Sequence, residues 1–105
     1  MDTIDLQSKQ LKALANGKRL QIIEWILDPV NHFEAQVDGD LVKDGVCIGR
    51  IVDKIELSQP TVTSHMKVLE NAGLVNSKKI KNWVFYKPDR EKIKGLFNML
   101  EKRLL

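Results

Sequence analysis

Residues 57–75 read LSQPTVTSHMKVLENAGLV. Ser58 has the side chain of an N-cap, and Pro60 falls in the first turn of the helix that follows, where a missing amide donor costs nothing. Val62, Met66 and Leu69 recur at the spacing of one helical face, and Asn71-Ala72-Gly73 reads as the C-cap. Opposite that face lie Pro60, Ser64, Lys67 and Asn71, flanked by Thr61 and Thr63. The result is a short helix with an apolar side to bury and a small, polar side to present.

Upstream, Ile48, Ile51, Val52 and Ile55 at spacings of three and four predict a helix from Val46 or Cys47 that closes by Leu57. Glu56-Leu57-Ser58 is then the turn between two helices. Before it, residues 28–46 show little periodicity and contain Pro29, Asn31, Gly39, Asp40 and Gly45, so they read as a long loop. Leu20, Ile22, Ile23, Ile26 and Leu27 predict a core helix over 18–27, stopped by Asp28-Pro29. Ile4, Leu11 and Leu14 predict a first helix ended by Gly17.

Downstream, β-prone runs at 74–80 and 83–87 flank Lys81-Asn82, which reads as a hairpin turn because asparagine tolerates positive φ. Asp89 caps a last helix with Ile93, Leu96, Phe97, Leu100 and Leu104 in a stripe. The predicted fold is mainly α with a small β-hairpin: a helix-turn-helix with a wing, in one domain over residues 1–105.

Composition narrows the function. The chain has 105 residues, 43% hydrophobic and 30% charged, as in an ordinary folded domain. Charges at Asp2, Asp5, Lys9, Lys12, Lys18, Arg19 and Glu24 argue against a signal peptide, no membrane span can be drawn, and the expected location is cytoplasmic. The formal net charge is only +3, but it is unevenly placed. Residues 28–46 hold five acids (Asp28, Glu34, Asp38, Asp40, Asp44) against Lys43, a net of −4. Residues 58–87 hold five lysines (Lys67, Lys78, Lys79, Lys81, Lys87) against Glu70, a net of +4. No nucleophile with a base, paired carboxylates or phosphate-cradling glycine loop is recognisable, so no enzyme and no cofactor are expected.

A helix about 10–12 Å across fits the major groove of double-stranded DNA, where small polar side chains reach base edges and the positive dipole end favours phosphate. Ser58, Gln59, Pro60, Thr61, Thr63, Ser64 and Lys67 are the candidate contacts on the helix. Lys78, Lys79, Lys81 and Asn82 are those on the hairpin, where lysines neutralise phosphates with little sequence preference. Periodicity and charge alone leave a solvated amphipathic helix and ordinary surface lysines as the competing reading.

The string at 57–75 closely resembles the recognition helix of the ArsR/SmtB-type bacterial winged-helix repressors. Leu14-Ala15-Asn16-Gly17-Lys18-Arg19-Leu20-Gln21-Ile22-Ile23 and Trp83-Val84-Phe85-Tyr86 extend the resemblance over nearly the whole chain except residues 28–46. The resemblance implies a homodimeric transcriptional repressor, paired through its first and last helices and released from operator DNA by an effector. The apolar stripes agree, since they are more surface than one small domain would cover. Ile4, Leu11, Ile93, Leu96, Phe97, Leu100 and Leu104 are the candidate interface. His65, at a matching position, either contacts DNA or packs at the helix flank.

Metal-sensing proteins of this type carry a Cys-x-Cys pair before the recognition helix, or aspartate and histidine on the last helix. Here Cys47-Ile48-Gly49 offers one thiol, and Asp89-Arg90-Glu91 has glutamate where histidine is wanted. No metal site of the usual kind is expected. Cys47, the single cysteine, is either a thiol sensor near a helix N-terminus or a small packing residue. The acidic loop either orders around an effector, repels wrong DNA or is simply solvated. The effector is unknown, and a winged helix that binds another protein is the alternative to a DNA-binding one.

Overall fold

A computed structural model describes residues 3–105. Helix α1 (Thr3–Leu14) is followed by α2 (Gly17–Leu27). Between them the Asn16 side chain accepts from the Arg19 N–H at 3.1 Å, capping α2 where four amides would otherwise lack partners. A single 3-10 turn at Pro29–Asn31 leads into the acidic loop, which ends in a two-residue strand, β1 (Val46–Cys47). Helix α3 (Ile48–Ile55) and helix α4 (Gln59–Asn71) form the helix-turn-helix. Glu56 turns the chain with φ 60°, ψ 39°, its N–H closing on the Val52 carbonyl at 3.0 Å. Strands β2 (Val75–Ile80) and β3 (Trp83–Pro88) make the hairpin, and α5 (Arg90–Leu104) follows Asp89, whose side chain accepts from the Lys92 N–H.

The apolar faces converge on one core. Ile22 and Ile26 of α2, Ile51 and Ile55 of α3, and Val62, Met66 and Leu69 of α4 meet Leu74, just before β2, and Val75 and Tyr86 of the sheet, all buried. Each large side chain so buried contributes roughly 1.5–3 kcal/mol of transfer free energy. The register of this core fixes which side of α4 looks outward.

Several expectations are corrected. The hairpin is part of a three-stranded antiparallel sheet in the order β1-β3-β2, because Val46 and Cys47 pair with Tyr86 and Phe85 instead of starting α3. Both residues share the spacing of the helix after them, so only the distant strand β3 reveals them as extended. At the hairpin turn the positive φ falls on Lys81 (55°) and not on Asn82. The acidic loop is anchored rather than merely solvated, as described below. Leu96, expected at a dimer interface, is buried at 2% exposure within its own chain.

Helix α5 touches the body near its start. Ile93 packs on the core, and Arg90 donates to the Leu27 carbonyl at 2.5 Å. Beyond Leu96, Phe97, Leu104 and Leu105 are exposed. A groove of about 450 Å³ runs between α1 and α5, lined by Ile4, Leu11, Ala15, Leu100 and Leu104 among others. The chain is elongated at 43 × 25 × 23 Å, with a radius of gyration of 14.0 Å where about 13 Å is usual at this length. No helix among the described residues is long and apolar enough to cross a membrane.

Candidate nucleic-acid interface

The outward side of α4 is built by its N-cap and its core face together. Val62, Met66 and Leu69 point inward at 0% exposure, and that rotation leaves Gln59, Pro60, Thr61, Ser64 and Lys67 exposed, with Thr63 half-buried. Ser58 is committed to the cap: its Oγ accepts from the Thr61 N–H at 3.4 Å and lies 2.9 Å from the Thr61 hydroxyl. Of the expected helix contacts, Gln59, Ser64 and Lys67 therefore carry the exposed side chains with unshared polar ends.

His65 turns away from this side. Its Nδ1 lies 3.0 Å from a terminal nitrogen of Arg19, whose guanidinium also reaches the Ala13 carbonyl at 2.6 Å and the Lys12 carbonyl at 3.4 Å. Arg19 thus closes the C-terminal end of α1, where a cation complements the helix dipole, and holds α4 through His65. Since guanidinium only donates, Nδ1 is the acceptor and the ring proton sits on Nε2.

Partial burial, and then the Arg19 charge, push the His65 pKa below 6.5. An unfolded chain therefore binds a proton at His65 more readily than the folded one. The stability His65 contributes is full above pH 6.5 and is lost as pH falls through the lowered folded value. In thermal melts, the drop in melting temperature between pH 7.5 and pH 5 is expected to be smaller in His65→Asn, whose amide oxygen can still accept from Arg19. An equal drop in both proteins would remove His65 as its source.

On the wing, side chains alternate between two faces. Ser77 and Lys79 share a face with Val84 and Tyr86, on the side of α4, where the Ser77 hydroxyl donates to Glu70 at 2.5 Å. Lys78 lies on the other face with Trp83 and Phe85, and so does Lys87. The acidic loop covers this second face. Lys78 pairs with Asp44 at 2.6 Å and Lys81, at the tip, with Asp38 at 2.9 Å. Among the described residues Lys79 has no such partner, so it is the wing lysine left free, on the strand face that Ser77 ties to α4.

Cys47 is half-buried and lines a cavity of about 280 Å³ between the loop, α3 and the wing, with Gln36, Arg50, Asp53, Trp83 and Phe85. Its backbone N–H donates to Gln36 Oε1 at 2.6 Å. Among the described residues, no three His, Cys, Asp or Glu side chains come together as a metal would require. Trp25 stacks edge-on with Phe33 at 6.4 Å beneath the Lys54 ammonium, while Trp83 is half exposed on the wing. Sequence reading missed two sets of contacts here: Arg19 as the buttress of α4, and Asp38 and Asp44 as partners of the wing. The −4 and +4 charge segments were the only local signal for the second.

Residues 43–77 match the family described as bacterial regulatory protein, arsR family. The HTH-type transcriptional regulator YbzH of Bacillus subtilis strain 168, itself uncharacterized, is 36% identical over 93 residues, 89% of this chain and 93% of that protein. The transcriptional activator HlyU of Vibrio cholerae is 30% identical over 92 residues, 88% of this chain and 71% of that protein. The solved structure of HlyU from Vibrio cholerae superposes over 100% of both chains with a TM-score of 0.65 at 26% identity. A Mycobacterium bovis structure, described as a homodimeric winged helix-turn-helix DNA-binding domain, matches 93% of this chain and 77% of its own with a TM-score of 0.65 at 23% identity.

Proposed function

The chain belongs to the ArsR family of bacterial regulatory proteins, whose relatives are transcriptional regulators, and from that premise we propose that it binds an inverted-repeat operator as a homodimer and represses transcription there. The observation that carries this reading is the outward side of α4, where Gln59, Ser64 and Lys67 are exposed, together with the free Lys79 on the strand face that carries Ser77. Gln59 and Ser64 have the chemistry to read base edges, while Lys67 and Lys79 meet phosphate. The exposed apolar surface on α1 and α5 supports a two-fold dimer, which would set two α4 helices on half-sites about 34–36 Å apart. The M. bovis neighbour described as homodimeric supports the same arrangement.

Selection of bound duplexes from a random library tests the reading, and an enriched inverted repeat is expected. Absence of any enriched repeat would overturn it. The sign of regulation is read from a reporter behind the gene's own upstream region. Output is expected to rise when the protein is removed, and a fall would assign activation, the activity named for V. cholerae HlyU.

The two parts of the surface should separate by substitution. Lys79→Ala is expected to weaken binding to all duplexes alike and to reduce the salt slope by about one phosphate's worth. Gln59→Ala is expected to change base preference in the selected repeat. Gel shifts at two salt concentrations on matched and mismatched sites distinguish them; identical effects of both substitutions would contradict the division.

A further inference from the structure

The acidic loop reaches across the fold to the wing. Lys78 and Asp44 are 34 residues apart in the chain, Lys81 and Asp38 are 43, and Lys87, which donates to the Lys43 carbonyl at 3.2 Å, is 44 away. The loop is anchored beneath these contacts. The Gln36 side chain accepts from the Cys47 N–H and donates to the Gly45 carbonyl at 3.1 Å, and Gly39 lies against the Phe85 ring.

Asp44 is also fixed by the loop's own backbone. Asp44 accepts from the Asp40 N–H at 2.7 Å, and Asp40 accepts from the N–H groups of Val42 and Lys43 at 2.9 and 2.8 Å. The Asp44 and Asp38 side chains are 15% and 31% exposed, against 56% and 71% for Lys78 and Lys81. Asp44 is thus held in place by the loop and both carboxylates are the more buried partners, while the ammonium groups stand in solvent within reach of another anion. An ammonium has three donors, but a carboxylate and a DNA phosphate drawn to the same one repel each other, so the two anions compete for it.

We propose that the acidic loop is an intramolecular competitor for DNA: Asp44 and Asp38 occupy Lys78 and Lys81 in the free protein, and those lysines reach phosphate only by leaving the loop. This rests on the reading of the wing as a phosphate-contacting element. Lys79, on the opposite strand face, is outside the competition and makes the first contact. The Lys78 ammonium and the Asp40 N–H hold the Asp44 carboxyl below its ordinary pKa of 3.8, so mild acid leaves the Lys78–Asp44 pair in place. Salt loosens it instead, because the pairs are exposed.

The test is a cycle of four full-length proteins: wild type, Asp38→Asn/Asp44→Asn, Lys78→Gln/Lys81→Gln, and the combination. Affinity is measured on a mixed-sequence duplex of about 30 base pairs, since phosphate contacts need no operator. The loop-neutralised protein is expected to bind roughly fivefold tighter than wild type at low salt, as two exposed ion pairs would allow, with the gain shrinking as salt rises. In the background lacking both lysines the same loop substitutions are expected to change affinity little.

Equal gains in both backgrounds would show that the loop acts only through net charge and would overturn the proposal, as would no gain in either. If none of the four proteins binds duplex, the DNA-binding reading itself falls and takes the competitor with it. That result is distinct from binding without a loop effect, which sinks the competitor alone. Asp38→Asn by itself, which leaves every Asp44 hydrogen bond in place, repeats the measurement in a protein whose loop anchor is untouched, and about half the logarithmic gain is expected.

Discussion

Leu11→Glu is expected to leave the protein monomeric in solution and to weaken its binding to the inverted repeat by about 100-fold or more. Leu11 is 41% exposed on α1 and lines the groove that α5 completes with Leu100 and Leu104. A carboxylate there costs the isolated protomer little, because the side chain already faces water. Against a second copy it would be buried without a partner, which is among the most disruptive changes an interface can undergo. The large effect on DNA follows from arithmetic: a dimer's second half-site is met at the effective concentration set by the first, and a monomer forfeits that gain. Sedimentation equilibrium and gel shifts check the two halves separately. A Leu11→Glu protein that stayed dimeric with unchanged affinity would remove this face from the interface.

Gly45→Ala is expected to lower stability by about 3 kcal/mol, and the melting temperature by roughly 10–20 °C. Gly45 has φ +103°, a conformation L side chains rarely adopt, and a Cβ there would lie 2.6 Å from the Tyr86 carbonyl carbon and 3.0 Å from the Lys87 nitrogen. Those neighbours are the backbone of β3 beside its pairing with β1, so neither can yield without opening the sheet. Gly17→Ala is the matched control, since a Cβ at Gly17 meets nothing within 4 Å. It is expected to be neutral or slightly stabilising, as alanine usually is at a helical position. If thermal melts of the two variants coincided, the close approach at Gly45 would not be a constraint.

The two substitutions touch features of very different legibility. Helix α4 could be read from residues 58–73 alone because its determinants are local: a capping serine, a proline at the first turn, and three apolar residues at helical spacing. The stripe on α5 was legible for the same reason, but its division was not. Leu96 and Phe97 are neighbours in sequence, and only the placement of α5 on the body buries the first and exposes the second. Gly45 read as one of two loop glycines, since nothing in its neighbourhood announces that β3 passes beside it.

Charge was legible as a sum and not as a pattern of partners. Lys78 and Lys79 look alike in the sequence, yet strand alternation sends one toward Asp44 and the other toward the side of α4. Pairing across more than thirty residues is a product of chain closure, which no local window contains. Arg19 is the same case: it sits at the start of α2 and satisfies carbonyls of α1 while meeting His65 of α4.

The Arg19 contacts also have a mechanical meaning. Helix α1 lies on the proposed dimer seam, and its C-terminal carbonyls and the reading helix share a single guanidinium. Two protomers joined at that seam would resemble a caliper, with α1 as the hinge-side arm and α4 as the jaw. The span between the jaws is then set where the copies meet, far from the DNA.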